Sequence, residues 1–154
     1  MLLFLIRHAS AKNNSKTGKD FDRSLTKEGV MQAQKLGHYI SSLNLVMQHV
    51  YVSSSQRTRE TAKHAFNSKA NIKYDDSLYL SSSKELLRFI NELETTTNLL
   101  ILGHNEGISS LASKLTNQYI VLYTANAILI EFDCENSNEI SGETGRLIDF
   151  FSPI

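Results

Sequence analysis

Cysteine is nearly absent from this chain. Cys134 stands alone among 154 residues, so no internal disulfide and no cysteine-rich zinc site can form. Net charge is absent as well: 16 Lys and Arg balance 16 Asp and Glu. That balance argues against a strongly basic nucleic-acid binder and against an acidic disordered tail. No apolar run approaches the roughly 18 residues of a membrane span. The opening run, Met1 to Ile6, stops at Arg7. It has no basic stretch before it and no small-residue cleavage site after it, so it does not read as a signal peptide. Repeats, linkers and low-complexity tracts are missing too. What remains is 41% hydrophobic residues, enough for one core at a length typical of one domain. The expectation is a soluble, cytoplasmic protein whose residues 1–154 form a single domain, with no nucleic-acid or membrane partner.

Met1 to Ile6 suits a strand buried on both faces. A polar loop follows over 10–24, long enough for a functional role. Thr26 can cap a helix in which Val30, Ala33, Leu36, Ile40 and Leu43 recur at steps of three and four. The pattern then gives a strand over 49–52, N-cap oxygens at Ser53, Ser54 and Ser55, a helix over 55–67 and a short strand over 71–74. Ser82 and Glu85 have capping-box spacing ahead of Leu86, Ile90 and Leu93. Another strand spans 98–102, and a helix carries Ile108, Leu111, Ala112 and Leu115. Strands over 126–132 and 146–151, free to pair antiparallel, close the chain. Strands alternating with helices imply an α/β domain with a largely parallel sheet.

In such sheets ligands gather beyond the carboxyl ends of the strands. Three expected strand ends deliver Arg7 and His8, Ser53 to Arg57, and Gly103-His104-Asn105. Arg57 falls in the first turn of a helix, where a cation opposes the helix dipole. A shared anion resolves that conflict, so phosphate or carboxylate binding is one reading of this rim. The other is a set of solvated surface side chains. Arg59 lies about 200° around the helix from Arg57 and should face away from any site that Arg57 faces. His38, His49 and His64 lack the spacing of a metal site and suit surface positions.

Leu5-Ile-Arg-His-Ala9 resembles the Arg-His-Gly or Arg-His-Ala signature of the histidine phosphatase superfamily. Asp20-Phe-Asp-Arg-Ser-Leu-Thr-Lys-Glu-Gly29 resembles the Asp-x-x-Arg-Pro-Leu-Thr-x-x-Gly block of its small SixA-type phosphohistidine phosphatases. Val52-Ser-Ser-Ser-Gln-Arg-Thr-Arg-Glu-Thr-Ala62 is similar to the block with the second phosphate arginine, and Leu78-Tyr79 to a pair common in that branch. Leu102-Gly-His-Asn-Glu-Gly107 resembles the block with the second histidine, and Tyr123-Thr-Ala-Asn-Ala127 one that precedes a late strand. The blocks occur in family order across nearly the whole chain. Two departures stand out: Ser24 and Glu106 each occupy a position where the family has proline.

The resemblance implies a three-layer α/β/α sandwich of the phosphoglycerate mutase-like kind, with a mostly parallel central sheet. It implies that His8 attacks phosphorus and forms a covalent phosphohistidine that water hydrolyses. Arg7, Arg57 and His104 would surround the phosphoryl oxygens, and Arg23 matches a further phosphate-binding arginine. The attacking imidazole must be neutral, with its other nitrogen donating to a carbonyl. No metal or other cofactor is called for, since cationic side chains supply the charge. Glu106 is a candidate acid, with Asp75 and Asp76 as further carboxylates to weigh. The implied substrate is a phosphorylated protein, in particular phosphohistidine. Alternatives are a phosphatase or mutase of small phosphorylated metabolites, and a phosphate-dependent binding module without turnover.

Overall fold

Two periodicities build the core. In the central strands alternate residues belong to opposite faces of the sheet. Leu3, Leu5, Leu99 and Ile101 join one buried cluster. Phe4, Ile6, Leu100 and Leu102 join another on the opposite face. All eight are fully buried, which is why these strands read as continuous apolar runs rather than as alternating ones.

The computed structural model describes residues 1–68 and 70–154. In chain order it contains β1 (Leu2–Arg7), α1 (Lys27–Ser42), β2 (His49–Ser53), α2 (Gln56–Ala65), β3 (Ile72–Asp75), α3 (Ser83–Glu92), β4 (Leu99–Gly103), α4 (Gly107–Thr116), β5 (Ala127–Phe132) and β6 (Gly145–Phe151). The strand order is β3-β2-β4-β1-β5-β6. The β3–β2, β2–β4 and β4–β1 pairs are parallel, whereas β5 pairs antiparallel with both β1 and β6. Leu36 of α1 and Ala62 and Ala65 of α2 fill one face. Leu86 and Ile90 of α3 and Ile108, Leu111 and Leu115 of α4 fill the other. The result is the α/β/α sandwich implied above, with β5 as the one reversed strand.

Local chemistry fixes the helix ends. The Thr26 hydroxyl accepts from the Gly29 N–H, and Ser82 and Glu85 form the expected capping box. Ser55 differs from expectation. It is the N-cap of α2, but its hydroxyl pairs with that of Thr58 and caps no backbone group. The 10–24 segment is also less irregular than its composition suggests: Asp20–Asp22 form a single 3₁₀ turn, and Ala11 bridges Leu25. No helix among the described residues is long and apolar enough to cross a membrane.

Candidate active site

The register of the sheet decides which side chains meet. Arg7 is level with Gly103 across the β1–β4 pair, and Val52 with Leu102 across β2–β4. Three parallel strands therefore end together, and Ser53, the last residue of β2, emerges on one rim with His8 and His104, the residues that follow β1 and β4. The backbone of His8 is tied on both sides. Its N–H donates to the Gly103 carbonyl at 3.1 Å, and its carbonyl accepts from the Ala125 N–H at 3.0 Å. Two close approaches bring helices to this rim. A Cβ on Gly29 would sit 2.0 Å from the Ser10 carbonyl oxygen, and one on Gly107 would sit 1.9 Å from that of Ser81. Only glycine lets α1 and α4 start there.

His8 is buried, and its Nδ1 lies 2.7 Å from the Ala9 carbonyl oxygen. A carbonyl can only accept, so Nδ1 carries the proton and Nε2 keeps its lone pair. Arg57 Nε donates to that Nε2 at 3.3 Å. Burial, reinforced by Arg57, Arg7 and Arg23, pushes the His8 pKa down to about 4, against a smaller upward pull from its bond to Ala9. His104 is also buried, its ring centroid 5.4 Å from that of His8. Burial, with His8 and Arg57 nearby, pushes it down to about 3. Both imidazoles are thus neutral at pH 7. His104 Nε2 contacts Ser53 Oγ at 2.8 Å. His104 Nδ1 and Arg7 Nε are buried polar atoms with no hydrogen-bond partner in the protein.

Arg57 is 2% exposed despite its charge. Besides His8 it has two contacts with Asp20: Nη1 donates to the backbone carbonyl at 2.9 Å and Nη2 to Oδ2 at 3.1 Å. Arg23 Nε donates to Asp20 Oδ1 at 3.0 Å, and its Nη1 to the Lys12 carbonyl. The Tyr79 hydroxyl donates to Asp20 Oδ2. Tyr79, Arg57 and Arg23 together hold the Asp20 carboxyl below the usual carboxylate range, against a smaller effect of burial. Arg7 Nη1 donates to the Leu122 carbonyl, which also accepts from Asn105 Nδ2.

These groups line a cavity of about 340 Å³ that includes Arg7, His8, Asp20, Arg23, Arg57 and His104. The structure therefore brings together five of the six side chains singled out from sequence. Glu106 is the exception, being exposed and outside the lining. The chain turns Asn105 inward at this bend and leaves Glu106 to solvent. Asp75 is occupied by the backbone and hydroxyl of Ser77. Arg59 faces away as expected, with its Nε on the Ser54 carbonyl and its guanidinium 4.1 Å from the Tyr74 ring centroid. Sequence reasoning gave Asp20 no role, although it heads the block containing Arg23. The signal was the unpaired cation expected at the start of α2: Asp20 supplies the anion that Arg57 needs. Among the described residues, no cluster of three His, Cys, Asp or Glu side chains is placed to hold a metal ion.

A three-layer sandwich with two neutral imidazoles and three guanidinium groups around one hollow defines a class, that of the histidine phosphatases. The chain belongs to the histidine phosphatase superfamily (branch 1), whose family model matches residues 3–79. It is 31% identical over 142 residues to an uncharacterized chloroplastic protein of Arabidopsis thaliana, covering 84% of this chain and 65% of that one. It is 43% identical over 61 residues to the mitochondrial serine/threonine-protein phosphatase PGAM5 of Xenopus tropicalis, covering 40% of this chain and 21% of that one. The chain thus spans less than two-thirds of the length of either curated relative. A SixA structure from Nakamurella multipartitia superimposes with a TM-score of 0.85 at 22% identity, covering 99% of this chain and 96% of that one. The protein histidine phosphatase SixA complexed with tungstate does so with a TM-score of 0.82 at 17% identity, covering 99% and 97%.

Proposed function

We propose that residues 1–154 form a metal-independent phosphatase domain that works through a covalent phosphohistidine on His8, and that its substrate is a phosphohistidine-bearing protein. The observation that carries this reading is the His8 tautomer. Nδ1–H is held by the Ala9 carbonyl, so Nε2 keeps its lone pair, which faces the cationic hollow and accepts from Arg57 Nε until a phosphoryl group enters. In the first step Nε2 attacks phosphorus. A P–N bond forms to His8, and the bond from phosphorus to the substrate nitrogen breaks. Arg7, Arg23, Arg57 and His104 hold the three phosphoryl oxygens; with such positioned charge, phosphoryl transfer needs little further help from the protein. In the second step water attacks the phosphorus, the P–N bond to His8 breaks, and phosphate leaves with His8 neutral again.

The acids present favour this substrate. An alkoxide leaving group needs a proton donor. Glu106 stands outside the hollow, and Asp20 is held ionised. An imidazole leaving from phosphohistidine depends less on such a donor. The surroundings favour a macromolecule over a small metabolite. Leu80 lines the hollow and is 54% exposed; Tyr123, beside the lining residue Thr124, is 66% exposed. A second hollow of about 550 Å³ shares Asp20 and Arg23 and runs along Asn13 to Lys19.

Rapid quenching during turnover of a phosphohistidine protein should trap an alkali-stable, acid-labile phosphoryl group on His8. His8→Ala should lack it and lose hydrolysis while folding normally; turnover surviving in His8→Ala removes His8 as nucleophile. Glu106→Gln should hydrolyse phosphoramidates and phosphate esters at unchanged relative rates. Sugar phosphates hydrolysed far faster than phosphohistidine would shift the substrate to small metabolites.

A further inference from the structure

The anion held by the cations of the hollow is one of the chain's own. We propose that Asp20 is a positioning residue of the phosphoryl site and an internal competitor for it: its carboxylate aligns Arg57 against His8, then yields Arg57 and Arg23 to the incoming phosphoryl group. This inference rests on the phosphoryl-site reading above.

All three nitrogens of the Arg57 guanidinium are in use. Nε faces His8 Nε2, and Nη1 and Nη2 both end on Asp20. A planar group held at two corners cannot rotate, so Asp20 sets the angle at which Arg57 meets the nucleophile. Asp20 is itself held in place. It accepts from Arg23 and Tyr79, and its neighbour Phe21 packs edge-on against the Tyr79 ring with centroids 5.0 Å apart. Yet the carboxylate is 47% exposed where Arg57 is 2% exposed. It reaches the buried cation from the solvent side, so it can give Arg57 up without being stranded in an apolar setting.

The two roles have opposite signs. Aligning Arg57 speeds the chemistry. A carboxylate charge beside a phosphate dianion weakens its binding and favours its departure as product, because Asp20 re-forms its bonds as phosphate leaves. A residue that merely stiffened the loop would change both quantities in the same direction.

The test is kcat on an aryl phosphate together with inhibition by inorganic phosphate, in the full chain, with thermal melts confirming folding. Asp20→Asn should bind phosphate roughly fivefold more tightly, the effect of one close charge in a water-like medium, while kcat falls about tenfold or more through misplacement of Arg57. Asp20→Ala should show the same pair of signs, with the larger loss of kcat. Asp20→Glu restores the charge, so phosphate affinity should return to the wild-type value while kcat stays low. Asp22→Asn removes a charge two residues away that accepts from Thr17, and should leave both constants within about twofold. Unchanged or weaker phosphate binding in Asp20→Asn overturns the proposal, as does an unchanged kcat in Asp20→Ala. Wild-type protein that neither turns over nor binds phosphate overturns the functional reading itself, and this inference with it.

Discussion

In the proposed mechanism His8 attacks only while Nε2 is unprotonated. Burial does most to keep it so, and the Arg57 charge beside the ring adds to it, while the Ala9 carbonyl fixes which nitrogen bears the single proton. With its pKa near 4, the ring should remain neutral at pH 5, where an exposed imidazole is mostly charged. Imidazole resonances followed by NMR should show both His8 and His104 titrating well below the roughly 6.5 of a free imidazole. A midpoint for His8 near 6.5 would contradict this account. Arg57 gives a second prediction. Lysine in its place keeps the charge but loses the fork that meets His8 and Asp20 together. Arg57→Lys should lower kcat by roughly 10²- to 10³-fold, the usual loss when a transition-state donor is removed. Arg59→Lys, two residues on but facing Ser54 and Tyr74, should leave kcat nearly intact; steady-state kinetics on one substrate compares the pair.

At the scale of the element, legibility in the sequence divides cleanly. The strands of the centre and the four helices were readable because each must bury a stripe or a face, and burial imposes a period. Val30, Ala33 and Leu36 mark α1, and Ser82 with Glu85 marks the start of α3. The ends expected for α2 (55–67) and for the strands lie within two residues of those found. The site was readable as strand ends, since a parallel sheet aligns whatever follows its strands. Asp20 was not, because its contacts run to Arg57 and Tyr79, 37 and 59 residues away, and no local pattern encodes a partner at that distance. The Ser53 hydroxyl escaped for the same reason, its partner His104 being 51 residues away. The glycines give an element-scale prediction. Gly107→Ala drives a methyl group into the Ser81 carbonyl, whereas Gly103→Ala meets only Ile108 Cδ1 at 3.6 Å. Gly107→Ala should cost about 1–3 kcal/mol, and Gly103→Ala distinctly less. Urea unfolding of both variants checks the difference, and equal losses would show that α4 can retreat.

The whole molecule carries no net charge, yet it stores two neutral imidazoles among arginines, and that storage has a pH signature. Both pKa values are depressed on folding, to about 4 and about 3, from about 6.5 in the unfolded chain. Between those limits the unfolded state binds more protons, so stability rises with pH. It is fully present above about pH 6.5 and is lost as pH falls through 6.5 toward 4. The slope should reach up to about 1.4 kcal/mol per pH unit for each imidazole. Asp20, with its carboxyl also held down, extends the loss in the same direction at still lower pH. Urea midpoints at pH 7.5, 6 and 5 should therefore decrease in that order, and His8→Ala should flatten the trend. A midpoint constant from pH 7.5 to 5 would mean that the imidazoles are solvated.

The His8 ring hangs from a peptide unit stitched into β4 on one side and into the segment before β5 on the other. That unit follows directly on the last residue of β1. Under the proposed function, accommodation of different substrates falls to the loops around the hollow, while His8 keeps one address for as long as the sheet holds.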